Sequence, residues 1–261
     1  MTHARGPVKS LGQHFLTDEH TAAVAARWAC AGPDTPILEI GPGRGFLTRH
    51  LLAAGSPVVA IEKDETLARE LPQRPGCSGV TVVTGDFLEA DLAPHAGRTL
   101  VGNLPYYVSL AILRKALDCS SQWPRIVFMF QLEVARRIVA SHRGTDFGIP
   151  SILVSLTHSA SLVRKVPAGA FFPRPAVDSA LVLMEPLAAP WLPQPDRIAF
   201  LDWIAAAFRY RRKTAANALR QACGRSPADT AGAIEQTGLR PDARLEDVAL
   251  PSLIELWRIL K

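Results

Sequence analysis

Short runs of β-forming residues, separated by segments with helical character, constrain this chain more than any other feature. Residues 36–40, 57–61, 80–83, 100–102 and 126–130 are brief and apolar with little alternation. Strands buried on both faces read this way. Between them, residues 46–54, 64–71, 109–117 and 131–141 have helical patterns. Such alternation predicts a parallel sheet with helices on both faces. Two later runs, 152–156 and 180–184, have no helix-length segment recognised between them and are expected to form an antiparallel hairpin closing one edge.

Composition then changes. Residues 185–195 carry Pro186, Pro190, Pro193 and Pro195, which no central strand or helix interior accommodates. This segment is read as a linker between a domain over residues 1–186 and a small all-helical domain over 187–261. Helical patterns occupy 197–222 and 252–260, with shorter helices between. The chain has 261 residues, of which 48% are hydrophobic, enough for buried cores in both domains. Cys30, Cys77, Cys119 and Cys223 are widely spaced, without zinc-ligand spacing to any histidine. They are expected to be free thiols, and no metal is expected. The N-terminus lacks the apolar core of a secretory signal, and no stretch is apolar and long enough to span a bilayer, so a cytoplasmic, soluble protein is expected.

The ends of the candidate strands carry the chemistry. After the first comes Glu39-Ile40-Gly41-Pro42-Gly43-Arg44-Gly45. Gly41 and Gly43 allow a tight turn whose backbone amides approach a ligand. The Gly-x-Gly-x-Gly spacing differs from the Gly-x-Gly-x-x-Gly of dinucleotide sites, which argues against a dehydrogenase. Glu62, ending the second strand, suits two ribose hydroxyls; Asp86, after the third, suits an adenine amino group, with Phe87 against the ring. A glycine turn and two acids after three successive strands predict an adenosyl cofactor in one crevice.

Asn103-Leu104-Pro105-Tyr106 follows the fourth strand and faces the same crevice. An exocyclic aromatic amine is a poor nucleophile because its lone pair is delocalised. The Asn103 side-chain oxygen and the Leu104 carbonyl can both accept from such an amine and favour a tetrahedral nitrogen. Pro105 stiffens the backbone and Tyr106 offers a stacking face. A second aromatic station is Phe171-Phe172-Pro173-Arg174-Pro175; either phenylalanine could sandwich a base against Tyr106. The pattern predicts methyl transfer to a nucleobase amine.

The net charge of +5 leans towards a polyanion, and its distribution is more telling. Residues 203–228 contain no acid but carry Arg209, Arg211, Arg212 and Lys213 among Phe208 and Tyr210. Arg136 and Arg137 form a second cluster, and Arg5 and Lys9 lie in an acid-free N-terminal arm. Three basic segments around one crevice predict a large, structured RNA partner.

These residues resemble the ribosomal RNA adenine dimethyltransferases, most nearly the bacterial small-subunit branch. The resemblance rests on Gly12-Gln13-His14-Phe15-Leu16, the glycine turn, Asn103–Tyr106, residues 172–180 and Phe208-Arg209-Tyr210-Arg211-Arg212-Lys213-Thr214, and it runs through most of the chain. It implies a Rossmann-like, seven-stranded class I methyltransferase fold with a small all-α C-terminal domain, and S-adenosyl-L-methionine as donor. The implied substrate is a pair of adjacent adenosines near the 3′ end of small-subunit rRNA in an assembling particle, each dimethylated at N6 by a monomeric enzyme. Implied cofactor contacts fall on Gln13, His14, Phe15 and Leu16, on Gly41, Gly43 and Gly45, on Glu62, Lys63, Asp86 and Phe87, and on Asn103. The base pocket falls on Asn103, Leu104, Pro105, Tyr106 and one of Phe171 and Phe172. His14 departs from the family's usual asparagine: an imidazole still donates a hydrogen bond but lacks the amide's paired acceptor. Two other readings share the motifs: a macrolide-resistance methyltransferase of large-subunit rRNA, and an assembly factor that binds RNA without methylating it.

Overall fold

The computed structural model describes residues 13–119 and 122–261. Arg5 and Lys9 lie outside them. The chain divides into two compact units. The first runs to Ala135 and resumes over Ala160–Pro186; the second is Arg136–Ser159 with Leu187–Lys261. The break at 186/187 falls near the start of the proline-rich segment 185–195, and residues 136–159, expected in the first domain, group with the C-terminal helices.

In the first unit the elements are β1 (Phe15–Leu16), α1 (Glu19–Trp28), β2 (Ile37–Ile40), α2 (Phe46–Ala53), β3 (Val58–Glu62), α3 (Glu65–Glu70), β4 (Thr81–Thr84), β5 (Thr99–Asn103), α4 (Ser109–Asp118) and β6 (Ile126–Gln131). Then follow α5 (Leu132–Val139) and α6 (Ile149–Ser155), and the chain returns to the sheet through β7 (His158–Val166), β8 (Phe171–Phe172) and β9 (Ser179–Pro186). A seven-stranded sheet has the order β4-β3-β2-β5-β6-β9-β7, with β2 to β6 parallel to one another and β9 antiparallel to β6. The order reverses at β2, where Ile40 pairs with Ile61 on one side and Gly102 on the other. A ligand crevice belongs beyond the carboxyl ends of the strands at such a reversal.

Local chemistry explains the helices that frame this edge. Asp18 caps α1 by accepting from the Thr21 amide (2.7 Å), and Asp64 caps α3 by accepting from Thr66 and Leu67 (2.9 and 3.1 Å). Ala22, Ala25 and Ala26 of α1, with Ala29 capping its end, are buried and small enough for close packing on the apolar core.

The expected strand at 152–156 is instead helix α6. Pro150 sits in its first turn, and the Ser151 hydroxyl accepts from the Gly148 amide (3.2 Å). The residues that pack in the second unit's core are Ile149, Ile152, Leu153 and Leu156. Their spacing is helical, a period masked by the β-branched composition of the run. The strand expected there begins immediately afterwards, at His158, and β7 lies beyond β9 at the sheet edge.

The second unit adds α7 (Gln194–Phe208), α8 (Ala215–Cys223), α9 (Pro227–Gln236) and α10 (Leu250–Leu260). They share a core with Phe147 and Leu192, in which the Phe200 and Trp257 rings meet edge-on with centroids 5.8 Å apart. The helical pattern over 197–222 is two helices, because 209–214 turns between them. No helix among the described residues is long and apolar enough to cross a membrane.

Candidate active site

The turns after β2, β3, β4 and β5 enclose a cleft of about 1120 Å³, its open mouth included. All twelve expected cofactor residues except Gly45 line it, together with Asn103, Leu104, Pro105 and Tyr106. Gly43 has φ 57°, and a Cβ there would lie 2.9 Å from the Phe15 ring. Its amide donates to Glu62 Oε2 (3.0 Å). Gly45 sits behind the turn at the start of α2, where a Cβ would come within 2.6 Å of Leu71 and 2.7 Å of Cys77. Close packing and a left-handed backbone (φ 78°), not contact with the cleft, require glycine at that position.

Glu62 is 6% exposed and also accepts from the Asp64 amide (2.9 Å). Burial lifts its carboxyl above the usual range, opposed by the Asp64 and Gly43 amides. Asp86 is held the other way: its ion pair with Lys63 Nζ (2.7 Å) and the Leu88 amide keep its pKa low. Phe87 is buried beside it, with Lys115 Nζ 5.8 Å from its ring centroid.

At the end of β5, Asn103 Nδ2 donates to the His14 carbonyl (2.9 Å). A carbonyl only accepts, so this bond identifies the nitrogen and leaves Oδ1 as the amide's acceptor. The Tyr106 hydroxyl meets Ser179 Oγ at 2.7 Å, and burial raises the phenol's pKa. Asp178 Oδ1 accepts from the Ala168 amide (2.9 Å), bracing the loop that carries the two phenylalanines. The adjacent pair Asp178-Ser179 thus supports both aromatic stations, a role for which the chain offered only their position beside that loop.

The phenylalanines separate sharply. Phe171 pairs with Leu16 and is 4% exposed in the hydrophobic core, and neither it nor Phe172 is among the residues that line the cleft. Phe172 pairs with Phe15 and is 57% exposed.

Glu39 was not anticipated. It lines the cleft from the middle of the sheet, is 2% exposed, and accepts from Thr48 Oγ1 (2.7 Å). Burial, with a smaller push from Glu62, raises its pKa to about 8. The folded protein therefore holds this proton while the unfolded chain releases it near the ordinary carboxyl value of 4.5. Stability from this group is fully present below 4.5 and is lost as pH rises to about 8, by roughly 5 kcal/mol at most. Glu39→Gln keeps an acceptor for Thr48 without the ionisation. It is expected to be nearly neutral at pH 5 and stabilising by roughly 2–4 kcal/mol at pH 8.5, read from urea unfolding at both pH values. An equal effect at the two pH values would contradict this origin.

The basic residues of 209–213 lie in a turn of the second unit, not on a helix face. Arg211 donates through Nε and Nη2 to Glu246 Oε2 (3.0 and 2.7 Å) and through Nη2 to the Thr145 carbonyl (3.2 Å). The Arg143 amide donates to the Glu246 carbonyl (2.9 Å), so two loops are tied to one short 3-10 turn. Arg209 and Arg212 are exposed, with no partner among the described residues, and Lys213 lies near the Tyr210 ring (5.9 Å). Arg136 and Arg137 are exposed on α5.

A parallel sheet with a glycine turn after β2 and acids after β3 and β4 at the reversal edge defines the class I methyltransferase arrangement. Solved structures agree. The 23S rRNA methyltransferase ErmE is 27% identical, with a TM-score of 0.73 over 94% of this chain and 99% of that one. A Plasmodium falciparum dimethyladenosine transferase shares the fold, with a TM-score of 0.80 and 22% identity over 93% of this chain and 96% of that one. The chain matches the profile of ribosomal RNA adenine dimethylase over residues 7–261, and it belongs to that family. Curated relatives named ribosomal RNA small subunit methyltransferase A include those of Deinococcus radiodurans, 41% identical over 96% of this chain and 85% of the relative, and Phenylobacterium zucineum, 40% identical over 97% and 88%.

Proposed function

We propose that the protein transfers methyl groups from S-adenosylmethionine to N6 of two adjacent adenosines near the 3′ end of small-subunit rRNA, acting as a monomer on an assembling particle in the cytoplasm. The observation that carries the reaction is the Asn103 amide. With Nδ2 engaged by His14, Oδ1 and the neighbouring Leu104 carbonyl are a pair of acceptors for one exocyclic NH2.

The cleft fits the cofactor. A Cβ on Gly41 would meet nothing within 4 Å, so the turn backs onto open space where a methionine tail can lie. The Glu62 carboxylate suits the ribose hydroxyls, and Asp86 and Phe87 suit adenine. Bound S-adenosylmethionine supplies an electrophilic methyl group on a sulfonium. The protein's part is to orient the amine. Accepting both amine protons at Asn103 and Leu104 draws the nitrogen lone pair out of conjugation and aims it at the methyl group. Tyr106, pinned through Ser179, and the exposed Phe172 sandwich the base. No strong base is required, because a nitrogen carrying positive charge releases its proton to water.

Identity to relatives named for the small subunit favours that target, whereas the likeness to ErmE supports a large-subunit substrate. Methylation of undermodified small and large subunits with labelled donor, followed by nucleoside digestion, decides. Dimethyladenosine from small subunits alone is expected. Label from large-subunit RNA would transfer the reading to that target, and tight binding without label would indicate an assembly factor.

RNA contact is assigned to Arg136 and Arg137, to Arg209, Arg212 and Lys213, and to Arg5 and Lys9 of the arm. Arg211 serves chiefly to brace the turn. Arg212→Ala is expected to weaken rRNA binding and flatten the slope of log K against log salt by about 1, with the melting temperature unchanged. An unaltered slope would remove Arg212 from the phosphate contacts.

A further inference from the structure

His14 stands where three parts of the base pocket meet. Its carbonyl accepts from Asn103 Nδ2 (2.9 Å). Its imidazole stacks on Tyr106, with centroids 5.5 Å apart and planes 25° from parallel. Its Nδ1 lies 2.7 Å from the carbonyl of Pro173, the residue after Phe172. That carbonyl only accepts, so Nδ1 carries the proton and donates.

We infer that His14 is a positioning residue for the target adenine, holding the acceptor amide, the Tyr106 ring and the Phe172 loop in one geometry. The inference deepens the base-site reading given above and rests on it. Each contact has a distinct effect. The backbone bond orients the Asn103 amide so that oxygen, not nitrogen, is left for the amine. The stacked ring lies on one face of Tyr106, whose hydroxyl is held by Ser179, so the ring is constrained at a face and at its tip. The Nδ1 bond ties that arrangement to Pro173, and β1 reinforces it, since Phe15 pairs with Phe172. Phe15 is seated against Gly43, which leaves its ring no room for even one added carbon. An asparagine side chain at position 14 keeps a donor but has no ring to lay on Tyr106. Sub-ångström looseness at a reacting centre costs rate more than binding.

The test compares His14→Ala, His14→Asn and His14→Phe in the full-length enzyme, with Asn103→Ala alongside. Three quantities are read: S-adenosylmethionine affinity by calorimetry, kcat and KM on undermodified small subunits, and the ratio of mono- to dimethyladenosine at equal total methyl incorporation. We expect His14→Ala to lower kcat at saturating cofactor about 10- to 100-fold and to raise the monomethyl share, whatever change it makes in cofactor affinity. His14→Phe, which keeps the ring, and His14→Asn, which keeps a donor, fall between it and the wild type. A loss of cofactor affinity with kcat and the product ratio unchanged at saturating cofactor would make His14 a cofactor contact and overturn the inference. Unaltered kinetics in His14→Ala with activity lost in Asn103→Ala would overturn it alone. Activity retained in Asn103→Ala would remove the base-site reading and this inference together.

Discussion

Asn103→Ala lowers kcat by roughly 10²–10³-fold or more and leaves affinity for the small subunit within about twofold. The expectation follows from what the amide does. In the proposed reaction one of two acceptors for the attacking amine disappears, and the remaining Leu104 carbonyl fixes neither the rotation of the NH2 nor its pyramidalisation. The other half of the amide makes the effect larger than loss of a single contact, because Nδ2 also anchors the His14 segment to the end of β5. RNA binding, assigned in the proposed function to arginines and lysines elsewhere in the chain, is expected to be insensitive to this site. Single-turnover methylation at saturating cofactor, with filter binding in parallel, measures both quantities. Near-normal single-turnover rates would show that the amine is held by other atoms.

The adjacent phenylalanines are expected to divide stability from activity. Phe171→Ala empties a site in the core beneath β8, at a cost of about 3–5 kcal/mol, and reaches activity only through unfolding. Phe172→Ala removes a ring that is 57% exposed, so its melting temperature stays near the wild-type value. Base stacking of about 1–3 kcal/mol corresponds to a drop in kcat/KM of roughly 5- to 150-fold for that variant. Thermal melts and steady-state kinetics on small subunits suffice. Equal activity of Phe172→Ala and wild type would leave Tyr106 as the sole stacking surface.

Much of this was legible beforehand, for identifiable reasons. A strand buried on both faces must be apolar, short and bounded by turns, so β2 to β6 and the helices between them follow from periodicity. The reversal at β2 then determines which turns share a crevice, and the cofactor residues become readable as a group. The adjacent acceptors of Asn103-Leu104 needed no tertiary knowledge, since consecutive residues at a strand end arrive together. Where that logic failed, a second pattern was competing. In 149–156 the helical spacing of Ile149, Ile152, Leu153 and Leu156 won over β-branched composition, because Pro150 starts a helix and the apolar face meets the second unit's core.

The amino-acid order by itself determined strands β2 to β6, the turns that line the cleft and the adjacency of the Asn103 and Leu104 acceptors, because each depends on local period or on neighbours along the chain. Only the tertiary structure decided which phenylalanine is buried, which arginine is consumed in holding Glu246, that Glu39 keeps its proton in the sheet, and that His14 reaches Asn103, Tyr106 and Pro173 at once. These are matters of burial and of contacts between residues far apart in sequence, and neither quantity has a period that a one-dimensional pattern can express.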